Sequence, residues 1–294
     1  MTRRVSLSAP AKVNLFLKVF HRRPDGFHEL QTLMQAIDFS DVVLVELDNS
    51  GQVKLENRGI RVGPANENLA HRAACAYRKA AGLKMGVNIR LTKNIPAGAG
   101  LGGGSSDAAA VLRALDHLTE GLLGTEALGQ IASELGSDVP FFLCNSTTAL
   151  AYGRGEMLKV VKPLPAQTVL LVLPPVHMST AKAYEMLGRS SNHDRSREPG
   201  MRGTRMDWDT IISLAHNDFE IVTSDFYPHV QQSLTALRQK EYPLVLLSGS
   251  GAACFAITNN DLGAEADARD LKEQLGWFCV VTRTLESYPQ VTLV

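Results

Sequence analysis

Two sets of residues in this chain have types and spacings suited to chemistry. The first is a run, Pro96-Ala97-Gly98-Ala99-Gly100-Leu101-Gly102-Gly103-Gly104-Ser105-Ser106, that passes into an alanine-rich stretch. Its glycines permit backbone conformations and close approach that a Cβ excludes. Where such a turn opens a helix, unpaired N–H groups and the positive end of the helix dipole converge on one spot, which suits an anion and most often a phosphate. The second set is scattered: Lys12 and Asn14 in an alternating segment, and Asp138 between a helical stretch and the apolar run Val139-Pro140-Phe141-Phe142. A carboxylate entering an apolar setting is costly unless it finds a partner. Taken alone, Lys12 and Asn14 read first as a solvated pair, and Asp138 equally as a cap or turn residue.

The elements that must position these groups follow from periodicity. Residues 5–20 alternate as a half-buried strand does, with Lys12, Asn14, Phe16 and Lys18 on one face and Val13, Leu15, Leu17 and Val19 on the other. Residues 22–28 read as a turn with Pro24-Asp25-Gly26 at its tip, followed by Phe27 and His28. Strands are predicted over 42–47 and 53–55, with Asp48-Asn49-Ser50-Gly51 as a hairpin turn between them. Asn68 begins a helix over 69–81 that Gly82 stops, and a strand over 87–92 leads into the glycine run. Ser105 or Ser106 is expected to cap the helix that continues over 107–118. A helix over 126–135, a strand over 148–152 and the turn Gly153-Arg154-Gly155 follow.

Composition shifts around Pro163-Leu164-Pro165, which places a linker there and divides the chain into domains of residues 1–163 and 164–294. The second half opens on a continuous apolar strand over 168–173, expected at the centre of a second sheet. Ser179 and Thr180 cap a short helix, and residues 189–205 read as a mobile surface loop. Helices over 208–215 and 226–240, a strand–glycine turn–strand unit over 242–257, a helix over 264–275 and a strand over 278–282 complete it. The order is α+β, close to a split βαβ unit.

Composition narrows the partners. The 294 residues include 30 Lys plus Arg against 30 Asp plus Glu, so net charge offers no reason to expect nucleic acid or an anionic membrane. No apolar run approaches a membrane span, and Lys12 and Lys18 interrupt anything like a signal-peptide core, so cytoplasmic residence is expected. Cys75, Cys144, Cys254 and Cys279 form no C-x-x-C pair, and the histidines show no metal-binding spacing. No dedicated metal site is predicted from these residues.

Three phosphate motifs compete for the glycine run. Gly98-x-Gly100-x-x-Gly103 satisfies the dinucleotide fingerprint, but hairpin-like strands precede it and no acidic residue ends a following strand. A lysine-bearing P-loop is excluded, because the run contains no lysine. A third type cradles ATP phosphates without a lysine. In this chain that loop stands between Pro10-Ala-Lys-Val-Asn-Leu-Phe16 and Leu247-Ser-Gly-Ser-Gly-Ala-Ala-Cys-Phe255. The ordered set resembles the GHMP kinases, which include galactokinase and the homoserine, mevalonate and phosphomevalonate kinases. Arg23-Pro-Asp-Gly-Phe-His28, Leu101-Gly-Gly-Gly-Ser-Ser-Asp-Ala-Ala109 and Gly136-Ser-Asp-Val-Pro-Phe-Phe142 sharpen it towards one branch of that family, which acts in the non-mevalonate isoprenoid pathway.

The resemblance implies a two-domain α+β fold, a ribosomal protein S5 domain 2-like first domain with a ferredoxin-like second one. It implies transfer of the ATP γ-phosphoryl to the C2 hydroxyl of a small molecule, cytidine diphosphate-linked methylerythritol. By resemblance Asp138 takes the hydroxyl proton beside Lys12, and a lysine there keeps the carboxylate ionised. The residues from Pro96 to Ser106 would hold ATP, with Ser105 or Ser106 near its phosphates and Mg2+, and Asn68 near the adenine. Phe27, His28, Thr180 and Tyr184 would hold the cytosine end, Asn14 the substrate beside Lys12, and Gly249 and Gly251 its diphosphate. The branch pattern has tyrosine where this chain has Phe27, which removes a hydroxyl but keeps the stacking face. Monomer and homodimer both fit the pattern. Homoserine or mevalonate-type kinase activity is the alternative, and Phe27, His28 and Tyr184 argue against it, since those substrates have no base to stack.

Overall fold

The computed structural model describes residues 4–188 and 206–294. The segment read as a mobile loop, 189–205, lies outside the described residues. The first half runs β1 (Arg4–Arg22), β2 (His28–Asp48), β3 (Val53–Gly59), α1 (Leu69–Ala81), β4 (Gly86–Lys93), α2 (Gly103–Leu118), α3 (Gly124–Leu135), α4 (Val139–Leu143), β5 (Thr148–Gly153) and β6 (Met157–Val160). The second runs β7 (Thr168–Leu173), α5 (Thr180–Met186), α6 (Trp208–Leu214), β8 (His216–Asn217), α7 (Glu220–Phe226), α8 (Pro228–Arg238), β9 (Leu244–Leu247), β10 (Cys254–Thr258), α9 (Asp261–Leu275), β11 (Phe278–Arg283) and β12 (Thr292–Leu293).

Two sheets and three apolar layers hold the fold. The larger sheet has the path β12-β1-β2-β4-β3, with β5 on β2, β6 on β5 and β8 on β1; the smaller is β11-β7-β10-β9. One layer fills the space between the larger sheet and α1–α4, another lies between the two sheets, and the third packs the smaller sheet on α8 and α9. Every residue of β7 is buried, as expected of an interior strand covered on both faces. The C-terminal β12 returns to pair with β1, so both ends of the described chain meet in the larger sheet.

Local chemistry explains several ends. Asn68 accepts the Ala70 N–H, and Gly82 closes α1 in the left-handed region at φ 59°. Ser179 accepts the Lys182 N–H to open α5. Three expectations fail, and one strand segment goes unread in the sequence. The 48–51 turn is not a hairpin, because β4 inserts between β2 and β3 and β3 runs parallel to β4. Neither serine caps α2: the helix begins at Gly103 with Gly102 as its cap and no side-chain acceptor. Residues 30–37 are all buried, so they lack the alternation that would have marked the first part of β2.

The third failed expectation concerns the faces of β1. Its register with β2 breaks between Pro10 and Ala11 and again between Asn14 and Phe16. Each break changes which face a residue presents. Val5, Leu7 and Ala9 therefore pack against the α1–α4 layer, while Ala11, Val13, Leu15 and also Phe16 enter the layer between the sheets. Lys12 and Asn14 turn inward on the face of Met34 and Ala36, and Phe16 does not share that face.

Candidate active site

The inward turn of β1 carries Lys12 to the wall of a cleft of about 1070 Å³. Of the residues singled out above, Lys12, Asn14, Phe27, His28, Pro96–Gly100, Gly102–Ser105, Asp138, Thr180, Tyr184 and Gly249 all line it. Asn68, Leu101, Ser106 and Gly251 do not. Asn68 spends its side-chain oxygen on the cap of α1, Leu101 and Ser106 are buried, and Gly251 packs against Met178.

Lys12 is almost wholly buried and fully engaged. Its ammonium donates to Asn14 Oδ1 at 2.6 Å and to the Gly100 carbonyl at 2.9 Å, and stands 3.7 Å from Asp138 Oδ2. Burial lowers its pKa, and the charge and hydrogen bonding of Asp138 oppose that fall. Asn14 is oriented in turn by donating to Thr32 Oγ1, whose hydroxyl donates to the Phe16 carbonyl. Asp138 stands just before α4 with 34 % of its side chain exposed, so it faces the cleft while the apolar residues after it enter the core.

The glycine run is an anion cradle in its backbone. Gly98, Gly100 and Gly102 take φ of 69°, 77° and 71°. Alternate left-handed residues turn successive N–H groups to one side. The first turn of α2 has neither a capping side chain nor an acidic residue, so its N–H groups and dipole are left for a ligand. Gly100 is pinned by Lys12 and by the Ser248 hydroxyl, each 2.9 Å from its carbonyl. A Cβ on Gly100 would sit 2.0 Å from the Ser248 carbonyl oxygen. Gly100→Ala is therefore expected to destabilise the fold by at least ~2 kcal/mol, read as a lowered melting temperature together with weaker ATP binding.

Three aromatic rings cluster in the wall of the same cleft. His28 stacks on Tyr184 with centroids 4.9 Å apart and planes at 14°, and Phe219 meets Tyr184 edge-on at 4.9 Å. Phe27 is 53 % exposed, with the Arg154 guanidinium 4.9 Å over its ring. Burial, then the positive charge of Arg22, lowers the His28 pKa, which favours the neutral ring with one donor and one acceptor. Burial, with Asp138 second, raises that of Tyr184, so its hydroxyl stays protonated.

Sequence reasoning missed Thr32, Arg154, Asn217, Phe219 and Ser248. Asn217 donates to the carbonyls of Leu247 and Gly249 at 2.7 and 2.8 Å, and through β8 it fastens the late glycine turn to β1. Two residues of strand between helices leave no periodic signal. The Thr180 and Ser250 hydroxyls, 2.9 Å apart, tie the same turn to α5.

A magnesium ion fits this donor set. Mg2+ keeps much of its water and needs only one or two protein oxygens beside substrate phosphates. The Ser105 hydroxyl, in the first turn of α2, and the Asp138 carboxylate, just before α4, both line the cleft. Among the described residues no group of three His, Cys, Asp or Glu side chains could hold a metal by itself.

A lysine–carboxylate pair, a glycine cradle at a helix start and a two-sheet α+β frame define a small-molecule kinase of the GHMP type. Profiles described as the GHMP kinases N terminal domain and GHMP kinases C terminal match residues 68–146 and 202–276. The chain belongs to the GHMP kinase family. A 4-diphosphocytidyl-2-C-methyl-D-erythritol kinase of Pelobacter propionicus is 40% identical, over 96% of this chain and 99% of that one. A protein of the same name from Geobacter metallireducens is 37% identical, also over 96% and 99%. A crystal structure of 4-(cytidine 5'-diphospho)-2C-methyl-D-erythritol kinase superimposes with a TM-score of 0.77 at 35% identity, covering 95% of this chain and 98% of that one. Homoserine kinase from Cytophaga hutchinsonii shares the fold, with a TM-score of 0.69 at 20% identity over 98% and 97% of the two chains.

Proposed function

We infer that this protein is an ATP-dependent kinase that phosphorylates the C2 hydroxyl of 4-diphosphocytidyl-2-C-methyl-D-erythritol, a step in making isoprenoid precursors. One observation carries the reading: aromatic side chains suited to a base and a lysine–aspartate pair suited to a hydroxyl line the same cleft as the phosphate cradle. Full-length relatives bearing that enzyme's name support it.

In this reading the glycine run and α2 bind the ATP phosphates, and Ser105 lies against them. Asp138 accepts the proton of the attacking hydroxyl. Lys12, beside it, steadies charge on the alkoxide-like oxygen. Phosphoryl transfer asks mainly for positioning and charge neutralisation, and Mg2+ arriving with ATP supplies part of the latter. Phe27 offers its exposed face to the cytosine, and the stacked His28–Tyr184 pair lies beside it with His28 placed to bond the base edge. Gly249 and the turn around it serve the substrate diphosphate. Residence in the cytoplasm belongs to the same proposal; no described helix is long and apolar enough to cross a membrane.

A coupled ATPase assay comparing the cytidyl alcohol with homoserine and mevalonate tests the assignment. Turnover is expected on the first alone, and activity on homoserine alone would sink it. Phe27→Leu is expected to raise KM for the cytidyl alcohol about tenfold with KM for ATP unchanged, the size of one lost base stack. An unchanged KM for the alcohol would remove Phe27 from the base site.

A further inference from the structure

The glycine loop enters and leaves through one buried ionic cluster. Lys93 ends β4 just before the loop, Asp107 lies one turn into α2 just after it, and Asp41 stands on β2. Their relative exposures are 3%, 1% and 0%. The Lys93 ammonium donates to Asp107 Oδ2 at 2.8 Å and also to Asp41 Oδ2. Asp41 Oδ1 accepts the N–H groups of Asn94 and Ile95 at 2.6 and 2.9 Å. Gly103, the first residue of α2, packs directly on the cluster: a Cβ there would lie 2.9 Å from Lys93 Nζ.

Other bonds hold the middle of the loop, at Ala99, Gly100 and Leu101, but these end short of α2. Glycines lose more conformational freedom on ordering than other residues, and α2 lacks a side-chain cap. The N–H groups that face a phosphate point wherever the first turn of α2 points. A cross-link at the base of a flexible loop removes freedom from everything between its ends. Charge balance does not require the second carboxylate, because one lysine is matched by Asp41 alone. Deleting Asp107 leaves a neutral buried pair, so what it uniquely adds is the tie between Lys93 and α2.

We propose that Asp107 is a positioning residue for ATP, which through Lys93 closes the base of the glycine loop and aims the first turn of α2 at the phosphates. The proposal rests on the reading of the cleft as an ATP site. Asp107→Ala, Asp107→Asn and the wild-type protein are compared by steady-state kinetics and by ADP titration. In Asp107→Ala, KM for ATP and the Kd for ADP are expected to rise about tenfold, with KM for the cytidyl alcohol within about twofold and kcat at saturating ATP within about threefold. Asp107→Asn keeps an oxygen for Lys93 and is expected to recover ADP affinity to within about threefold of wild type. Unchanged ADP affinity in Asp107→Ala, an equal rise in both KM values, or an asparagine variant as weak as the alanine one overturns the tie. Wild-type protein that binds neither ATP nor ADP would instead overturn the kinase reading. If Asp107→Ala melts below the assay temperature, Asp107→Ser, too short to reach Lys93, is read by the same criteria.

Discussion

Asp138→Asn is expected to lower kcat by about 10²- to 10⁴-fold, the usual worth of a positioned general base, while ADP binds as before. The amide has nearly the shape of the carboxylate but cannot take a proton. It also withdraws the charge that opposes the burial-driven fall of the Lys12 pKa, so Lys12 shifts further towards its neutral form. Both changes act on the hydroxyl end of the cleft. The cradle is untouched, because Gly100 keeps its bonds from Lys12 and Ser248. Stability should hardly move, since the pair is 3.7 Å apart and Asp138 is a third exposed. Single-turnover rates with nucleotide-dependent melting separate these effects. Turnover within a few-fold of wild type would show that Asp138 is not the base.

Lys12→Met carries the next largest effect, a fall in kcat of about 10²- to 10³-fold from the loss of one preorganised cation at the reacting oxygen. Methionine keeps the length and apolar body of the side chain. It relieves the desolvation of a buried charge, which offsets the loss of donors to Gly100 and Asn14. The expected signature is therefore a folded protein that melts near the wild-type temperature, binds ATP a few-fold more weakly and barely turns over. Lys12→Arg should not restore activity. Space around the side chain is closed: a Cβ at Gly102 would be 3.1 Å from Lys12 Cγ, and one at Gly249 would be 3.2 Å from its ammonium. A methionine variant retaining more than a tenth of kcat would remove Lys12 from the chemistry.

The parts of the site legible in the chain were those whose information is local. Glycine spacing determines where φ can be positive, and Gly98, Gly100 and Gly102 are left-handed as such a run allows. The ends of α1 follow from Asn68 and Gly82. The apolar run of 168–173 is the buried interior strand expected. The motif set carried the family, and the relatives agree with it.

Other features depend on what packs against what. Alternation over residues 5–20 named a strand correctly, yet two register breaks with β2 decide which face each residue presents. Such breaks depend on the partner strand, whose residues opposite the breaks are Ser40 and Ile37 for Pro10 and Ala11 and Met34 and Leu33 for Asn14 and Phe16, and leave no mark in β1 itself. Likewise β4 separates β2 from β3 because a parallel partner was available to β3, although the turn residues between them suit a hairpin.

By its residue types and spacing alone, then, the chain determined a lysine-free phosphate loop opening a helix; the roles expected of Lys12, Asp138 and the aromatic groups came from its resemblance to the GHMP kinases. Only the tertiary structure decided that Lys12 faces inward to meet Asp138, that Asn217 and Ser248 brace the loops, and that Lys93 joins Asp107 to Asp41 beneath the cradle. Backbone preferences act between neighbours and are written in adjacent residues. A buried charge acquires its partner only when strands and helices distant in sequence close around it, because only the assembled interior removes the water that would otherwise serve.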